Sequence, residues 1–346
     1  MKYDFIIIGG AAEDITFLTN DGVLLSNKKD ILRQELMAFE YGAKIEIDRV
    51  YYNFGGGAAN AAVCLARLGF NVANIGAIGD DERGKRILEN FKKHKVDASL
   101  VQKVRGGETS FSFILVGKSR DRIIFFSRGA ERQLRIANYE LQSLRKAKWA
   151  YVTSLSGRWE KNLKKIFGVK SPLSLRLDEP KARQAFVKGG TMVAWNPGNA
   201  QLAGGIKRLS RYLRKTEVFI VNKDEAIELA MSDKKYRKQP RSFLNKADNL
   251  LKIIHFYGPK ITVITNGRQG AHAYDGKKVY FQPIIKEKKK ADTTGVGDAF
   301  GSSFVAGLEL YKGDIQKAMR LGAKNAASVV SEVGAQNGLI KTGFRI

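Results

Sequence analysis

Apolar residues gather first in short unbroken runs: Phe5 to Ile8, Trp149 to Val152, Val218 to Val221, and Ile261 to Thr265. Continuous rather than alternating hydrophobicity suits strands covered on both faces, as in a parallel sheet. Between these runs lie helix-spaced patterns at Ala58 to Leu68, Glu82 to His94, Asp224 to Ala230 and Ala299 to Tyr311. Strand and helix in alternation predict a doubly wound α/β layer architecture, a mostly parallel sheet with helices on both faces.

Two regions break the rhythm. Within residues 15–52, Lys44 to Val50 alternates with period two, and residues 109–126 alternate similarly around a turn from Gly117 to Arg122. Alternation means one wet and one buried face. These segments predict antiparallel strands forming a small β lid outside the main sheet.

With 44% hydrophobic and 27% charged residues, the chain can bury a large core, and disorder is excluded. The length permits one large α/β domain or two smaller ones. The scattered prolines mark no linker and no repeat is visible, so residues 1–346 are read as a single domain. One cysteine, Cys64, excludes an intrachain disulfide framework and fits a reducing compartment. No run reaches the ~18 apolar residues that span a bilayer, and the N-terminus does not read as a signal peptide. The expected location is cytoplasmic, with no membrane partner. The balance of 60 basic to 34 acidic residues, formally +26, raises nucleic-acid binding. The cations are spread over surface-type helical stretches without an aromatic-interleaved arm or zinc-finger spacing, which reads as a solvated basic surface. His94, His255 and His272 are far apart and show no metal spacing.

The strongest chemical signal is Asp292-Thr293-Thr294-Gly295-Val296-Gly297-Asp298, which runs into an amphipathic helix. Gly295 and Gly297 allow a tight turn that points successive amides into one concavity, an anion site reinforced by the helix dipole. Asp298 then falls in the first helical turn. Taken alone, it reads equally as a helix cap or as a base beside a transferring phosphoryl group. A second cluster, Phe54-Gly55-Gly56-Gly57-Ala58-Ala59-Asn60, leads into a helix of small residues whose backbone can approach a ligand closely. Asn60 there offers a donor and an acceptor to a hydroxyl-rich substrate. Neither a Walker A loop nor a dinucleotide fingerprint after the first strand is present.

The run from Asp292 to Gly307 resembles the C-terminal signature of the ribokinase-like carbohydrate kinase family, also called the phosphofructokinase-B family, and Gly55 to Gly69 resembles its N-terminal one. Gly9-Gly10 with Asp14, Gly79-Asp80-Asp81 with Gly84, Asn222 to Glu225, and Thr265 to Gly267 with Gly270 follow the same order. The resemblance implies a ribokinase-like fold and transfer of the γ-phosphoryl group of ATP to a hydroxymethyl of a sugar or sugar-like acceptor. It implies that Asp298 is the base, with the amides of Gly295, Val296, Gly297 and Asp298 as the anion hole. Asp14, Gly56, Gly57 and Asn60 are the implied acceptor positions. Asn222 and Glu225 match a motif associated with Mg²⁺ held mainly through water and with the nucleotide phosphates. Thr265, Gly267, Gly270 and Asn325 are implied nucleotide contacts. Asp292 and Thr294 are candidate positions for a monovalent cation such as K⁺.

The departures bear on specificity. Val296 stands where the commoner signature has Ala, Gly57 where ribokinases carry Lys, and Ala12 where they carry Asn. These replacements speak against strict ribokinase specificity. The alternative acceptor is a nucleoside of the adenosine type, and a non-catalytic nucleic-acid-binding or regulatory protein on the same fold is the less favoured reading. Exposed lid strands make a homodimer through the lid a further expectation.

Overall fold

The computed structural model describes residues 2–27, 35–117, 122–168, 190–287 and 289–343. Its first strands are β1 (Tyr3–Ile8), β2 (Ala12–Leu18), β3 (Val23–Ser26), β4 (Glu35–Ala38), β5 (Arg49–Gly55) and β6 (Val72–Ile75). Next come β7 (Ala77–Gly79), β8 (Gln102–Val104), β9 (Phe111–Val116), β10 (Arg122–Ser127) and β11 (Ala147–Val152). The last are β12 (Met192–Trp195), β13 (Val218–Asn222), β14 (Ile261–Thr265), β15 (Ala271–Tyr274) and β16 (Val279–Gln282). The helices are α1 (Gly57–Arg67), α2 (Glu82–Lys93), α3 (Asn138–Leu144), α4 (Trp159–Ile166), α5 (Asn199–Leu202) and α6 (Ile206–Leu213). They continue with α7 (Lys223–Met231), α8 (Lys234–Arg237), α9 (Arg241–Leu244), α10 (Ala247–Phe256), α11 (Val296–Leu310) and α12 (Ile315–Val330).

The main sheet runs β16-β15-β14-β13-β12-β11-β1-β6. It is parallel from β6 to β14, with β15 and β16 added antiparallel at one edge. In β1 successive residues serve opposite layers. Ile6 and Ile8 pack with α3, α4, α6, α7 and α10, whereas Phe5 and Ile7 pack with α1, α2, α11 and α12. This two-sided burial explains the unbroken apolar runs of the predicted strands, which are β1, β11, β13 and β14. The strands that the pattern did not announce are short or polar. β6 carries Asn74, fully buried in a four-residue strand.

The lid is a four-stranded sheet ordered β10-β9-β2-β5, with a separate β3–β4 hairpin. Its β10–β9 and β2–β5 junctions are antiparallel, and the central β2–β9 junction is parallel. The alternating stretch Lys44 to Val50 is corrected: the strand starts only at Arg49. Its partner β2 ends at Leu18, which pairs with Arg49, and the last bond is Asp48 N–H to the Leu18 carbonyl at 2.8 Å. The predicted turn after Gly117 falls at residues 118–121, outside the described residues, although its flanks pair as expected with Val116 opposite Arg122.

Two close packings set the site. Helices α11 and α12 touch through glycine, since a Cβ on Gly307 would lie 2.6 Å from Ala318 Cα, and one on Gly322 would lie 2.9 Å from the Phe300 carbonyl oxygen. Helix α1, rich in alanine, packs against α11 on the same side.

Candidate active site

All the elements converge at the carboxyl ends of the parallel strands, where open α/β sheets bind ligands. Helix α11 begins at Gly295, which holds φ +74°, a backbone state that favours glycine. Ahead of it, Asp292 Oδ1 accepts from the Thr294 N–H and hydroxyl, both at 2.8 Å, and Oδ2 accepts from the Gly334 N–H at 2.9 Å. The loop is thereby pinned, leaving the first-turn amides of Val296, Gly297 and Asp298 without intrahelical acceptors. Gly297 is exposed, and a Cβ there would meet open space, so this concavity faces solvent.

Asp298 sits half-buried in the first turn of α11. Its Oδ2 accepts from Asn60 Nδ2 at 2.8 Å. The start of α1 lies against the other oxygen, since a Cβ on Gly57 would come within 3.4 Å of Asp298 Oδ1. Burial raises the pKa of the carboxyl above the ordinary aspartate value, while the Asn60 hydrogen bond and the charge of Arg122 oppose that rise. The predicted base and the two glycine-led helix starts are therefore brought together. Asn60, expected on the acceptor, instead spends its N–H on the base and is itself buried.

On one side of Asp298 lies a cavity of about 230 Å³. Gly56 and Gly57 form part of its floor, and the lid closes it with Ser110, Phe111, Ser112, Ile124 and Phe126. Gly56 holds φ +87°, and a Cβ there would strike the Gly10 carbonyl oxygen at 2.6 Å. Asp14, on β2, is buried between Gly55 and Ser112. Burial is the main reason its pKa rises to about 7; a Ser112 hydrogen bond opposes that rise, and the neighbouring Asp298 and Asp292 add to it. The Arg128–Glu131 ion pair, at 3.2 Å, lines the far wall.

On the other side a cavity of about 520 Å³ holds Asn222, Thr265, Gly267, Gly270, Val296 and Gly297 on its walls. Of the implied nucleotide positions, Asn222, Thr265, Gly267 and Gly270 share this cleft, whereas Glu225 and Asn325 are not on its walls. Asn325 is fully buried behind α11, donating to Ser303 Oγ at 2.7 Å and accepting from the Ile340 N–H at 3.0 Å. The cavity wall on α12 is made instead by Ala323, Ala326, Ala327 and Val330, because Asn325 occupies the opposite helical face.

Arg122 was not expected. It projects from lid strand β10 into the same cleft, donates to Thr293 Oγ1, and bears electrostatically on both Asp298 and Asp14. One of several cations around a hairpin turn, it gave no local signal of its own.

The donor sets test the implied ions. Asn222 and Glu225 form a reciprocal cap on α7: Asn222 Oδ1 accepts from the Glu225 N–H at 2.9 Å, and Glu225 Oε2 accepts from the Asn222 N–H at 2.8 Å. Burial first, with Glu228, Asp224 and Asp298 adding like charge, raises Glu225 to about 7, although the Asn222 backbone bond opposes it. An anionic locus with one carboxylate oxygen uncommitted to the cap fits Mg²⁺ bound mainly through its waters. No group of three His, Cys, Asp or Glu among the described residues forms a direct metal cage. Asp292 does not fit K⁺ in the same way, since Oδ1 already serves two donors and Oδ2 a third. That pair secures the loop.

A family profile described as pfkB family carbohydrate kinase matches residues 29–342. An uncharacterized sugar kinase of Archaeoglobus fulgidus is 27% identical over 276 residues, covering 80% of this chain and 97% of that protein. An ATP-dependent 6-phosphofructokinase of Thermoanaerobacterium thermosaccharolyticum is 26% identical over 331 residues, covering 92% and 94%. In fold, the chain is similar to the crystal structure of the Methanocaldococcus jannaschii nucleoside kinase, described as an archaeal member of the ribokinase family. The TM-score is 0.69 at 22% identity, covering 98% of this chain and 95% of that one.

Proposed function

Because the chain belongs to the pfkB family of carbohydrate kinases, we propose that it transfers the γ-phosphoryl group of ATP to a hydroxymethyl group of a sugar or sugar-like acceptor. The observation that carries this reading is the position of Asp298. Its carboxylate stands in the first turn of α11, beside Gly57 of the smaller cavity and directly after Gly297 of the larger one. The acceptor hydroxyl enters from the smaller cavity and the nucleotide from the larger.

Asp298 takes the hydroxyl proton as the new O–P bond forms and the bond to the leaving ADP breaks. The amides from Gly295 to Asp298 stabilise charge on the transferring oxygens. Arg122 adds a cation from the lid, so lid position and charge stabilisation are linked. Asn222 and Glu225 would hold Mg²⁺ through water, and the ion when bound supplies charge neutralisation on the nucleotide phosphates. Asp298→Asn is expected to lower kcat by roughly 10²–10⁴-fold with ATP binding retained. Near-normal turnover in a steady-state ADP-release assay would sink the assignment.

A nucleoside acceptor is the second reading, favoured by the apolar wall of the smaller cavity. The rings of Phe111 and Phe126 offer flat surface suited to a base, Ile124 adds apolar wall, and Phe126 is 62% exposed. The same assay across pentoses, hexoses, phosphosugars and nucleosides separates the two. A cytoplasmic location belongs to this reading, supported by the single cysteine, which is a buried free thiol. No helix among the described residues is long and apolar enough to cross a membrane. Self-association through the lid is part of the proposal too, supported by the half-exposed apolar run Val23-Leu24-Leu25 on the β3–β4 hairpin.

A further inference from the structure

Asn60 is the inner end of a chain of three buried amides. Asn90 Nδ2 donates to Gln336 Oε1 at 2.9 Å, Gln336 Nε2 donates to Asn60 Oδ1 at 3.1 Å, and Asn60 Nδ2 donates to Asp298 Oδ2 at 2.8 Å. The three come from separate places: α2, the loop after α12, and α1. Each is at most 7% exposed, which leaves water little access to substitute for a missing partner. The Gln336 loop is fixed by its own carbonyl, which accepts from Arg67 at 3.1 Å.

A side-chain amide has two orientations of nearly equal shape and opposite polarity, so only its partners choose between them. An ionised Asp298 can only accept. Asn60 must therefore turn its N–H₂ to the base, and its oxygen then needs a donor. Gln336 supplies that donor, and Asn90 in turn satisfies the Gln336 oxygen. Without Gln336, Asn60 can rotate its oxygen toward the carboxylate, replacing an attraction by a repulsion at the reacting centre.

We propose that Gln336, backed by Asn90, is a positioning residue: it selects the Asn60 orientation that donates to the Asp298 carboxylate. This rests on Asp298 being the base. Charged or titratable groups facing Asp298 from the other elements are Arg122 on β10, Asp14 on β2, Glu225 on α7 and Tyr151 on β11, and none of them touches Gln336.

The test compares the full-length enzyme with Gln336→Met and Asn90→Asp, the second being isosteric and remote from both cavities. Folding is checked by thermal melting. The expected result for Gln336→Met is a kcat lowered about tenfold, the scale of one hydrogen bond to a charged group. The KM for ATP should stay unchanged, and the acid limb of the kcat profile should move to higher pH. Asn90→Asp should move the same two quantities in the same direction by less. Wild-type kcat and an unmoved acid limb in folded variants, with Asp298→Asn inactive, would overturn the positioning role alone. Full turnover by Asp298→Asn overturns the base and the positioning role together.

Discussion

Asp14 and Glu225 are both carboxyls that burial lifts to about 7, and the charge of Asp298 adds to both rises. A folded-state pKa above the unfolded value of 3.8 means that the folded protein holds a proton which the unfolded chain releases. The stability linked to Asp14 is therefore present at acid pH and is lost as pH rises from roughly 4 to 7. Asp14→Asn removes that loss: its melting temperature, relative to wild type, should be higher at pH 7.5 than at pH 5. Calorimetric melts at the two pH values check it, and parallel wild-type and variant curves would contradict it. If Asp14 serves the acceptor as proposed, the same variant should weaken the acceptor more than ATP. At this scale the sequence spoke through local motifs. The start of α11 at Gly295, Gly297 and Asp298 was legible because a glycine turn into a helix is written in consecutive residues. Arg122, Gln336 and Asn90 were not, because each acts through a partner far along the chain. Asn325 misled for the opposite reason, since its helix was right and its face was not.

At the scale of elements, the site depends on two helices that start on glycines with positive φ. In α11 the fit is tight, for a Cβ on Gly295 would lie 2.3 Å from Ala335 Cβ. Gly295→Ala must therefore both strain the backbone and displace the loop after α12, at a cost of about 1–3 kcal/mol. Urea denaturation should show that loss together with weaker ADP binding by titration calorimetry; a variant of wild-type stability would contradict the packing argument. The strands were legible where burial on both faces made the run continuous, as in β1 and β13. They were hidden where a strand is four residues long, or carries a buried polar group as β6 does. Alternation predicted the lid but overran it at Lys44, because register is limited by the partner strand and not by the pattern of one chain.

At the scale of the molecule, the lid sheet and the β3–β4 hairpin carry most of the exposed large apolar side chains among the described residues. Val23, Leu24 and Leu25 are 59%, 54% and 50% exposed, and Phe125 on the edge strand β10 is 58% exposed. Unpaired edges with apolar faces invite a second strand, and on the proposed reading a second copy of this chain would supply one. Wild-type protein should run as a dimer in light scattering, and Leu24→Lys should shift it toward monomer without unfolding the main sheet. A wild-type monomer at micromolar concentration would end that idea.

The two cavities draw their walls from different parts of the chain. Serines and aromatics of the lid and its following turn shape the smaller one, whereas the larger is built mainly by the second half of the sheet and its helices. Asp298, the proposed base, belongs to neither set, since it is carried in the first turn of α11. On the proposed reading, substitutions among the lid residues that line only the smaller cavity, such as Phe111, Ile124 and Phe126, would alter the acceptor while leaving the start of α11 and Arg122 in place.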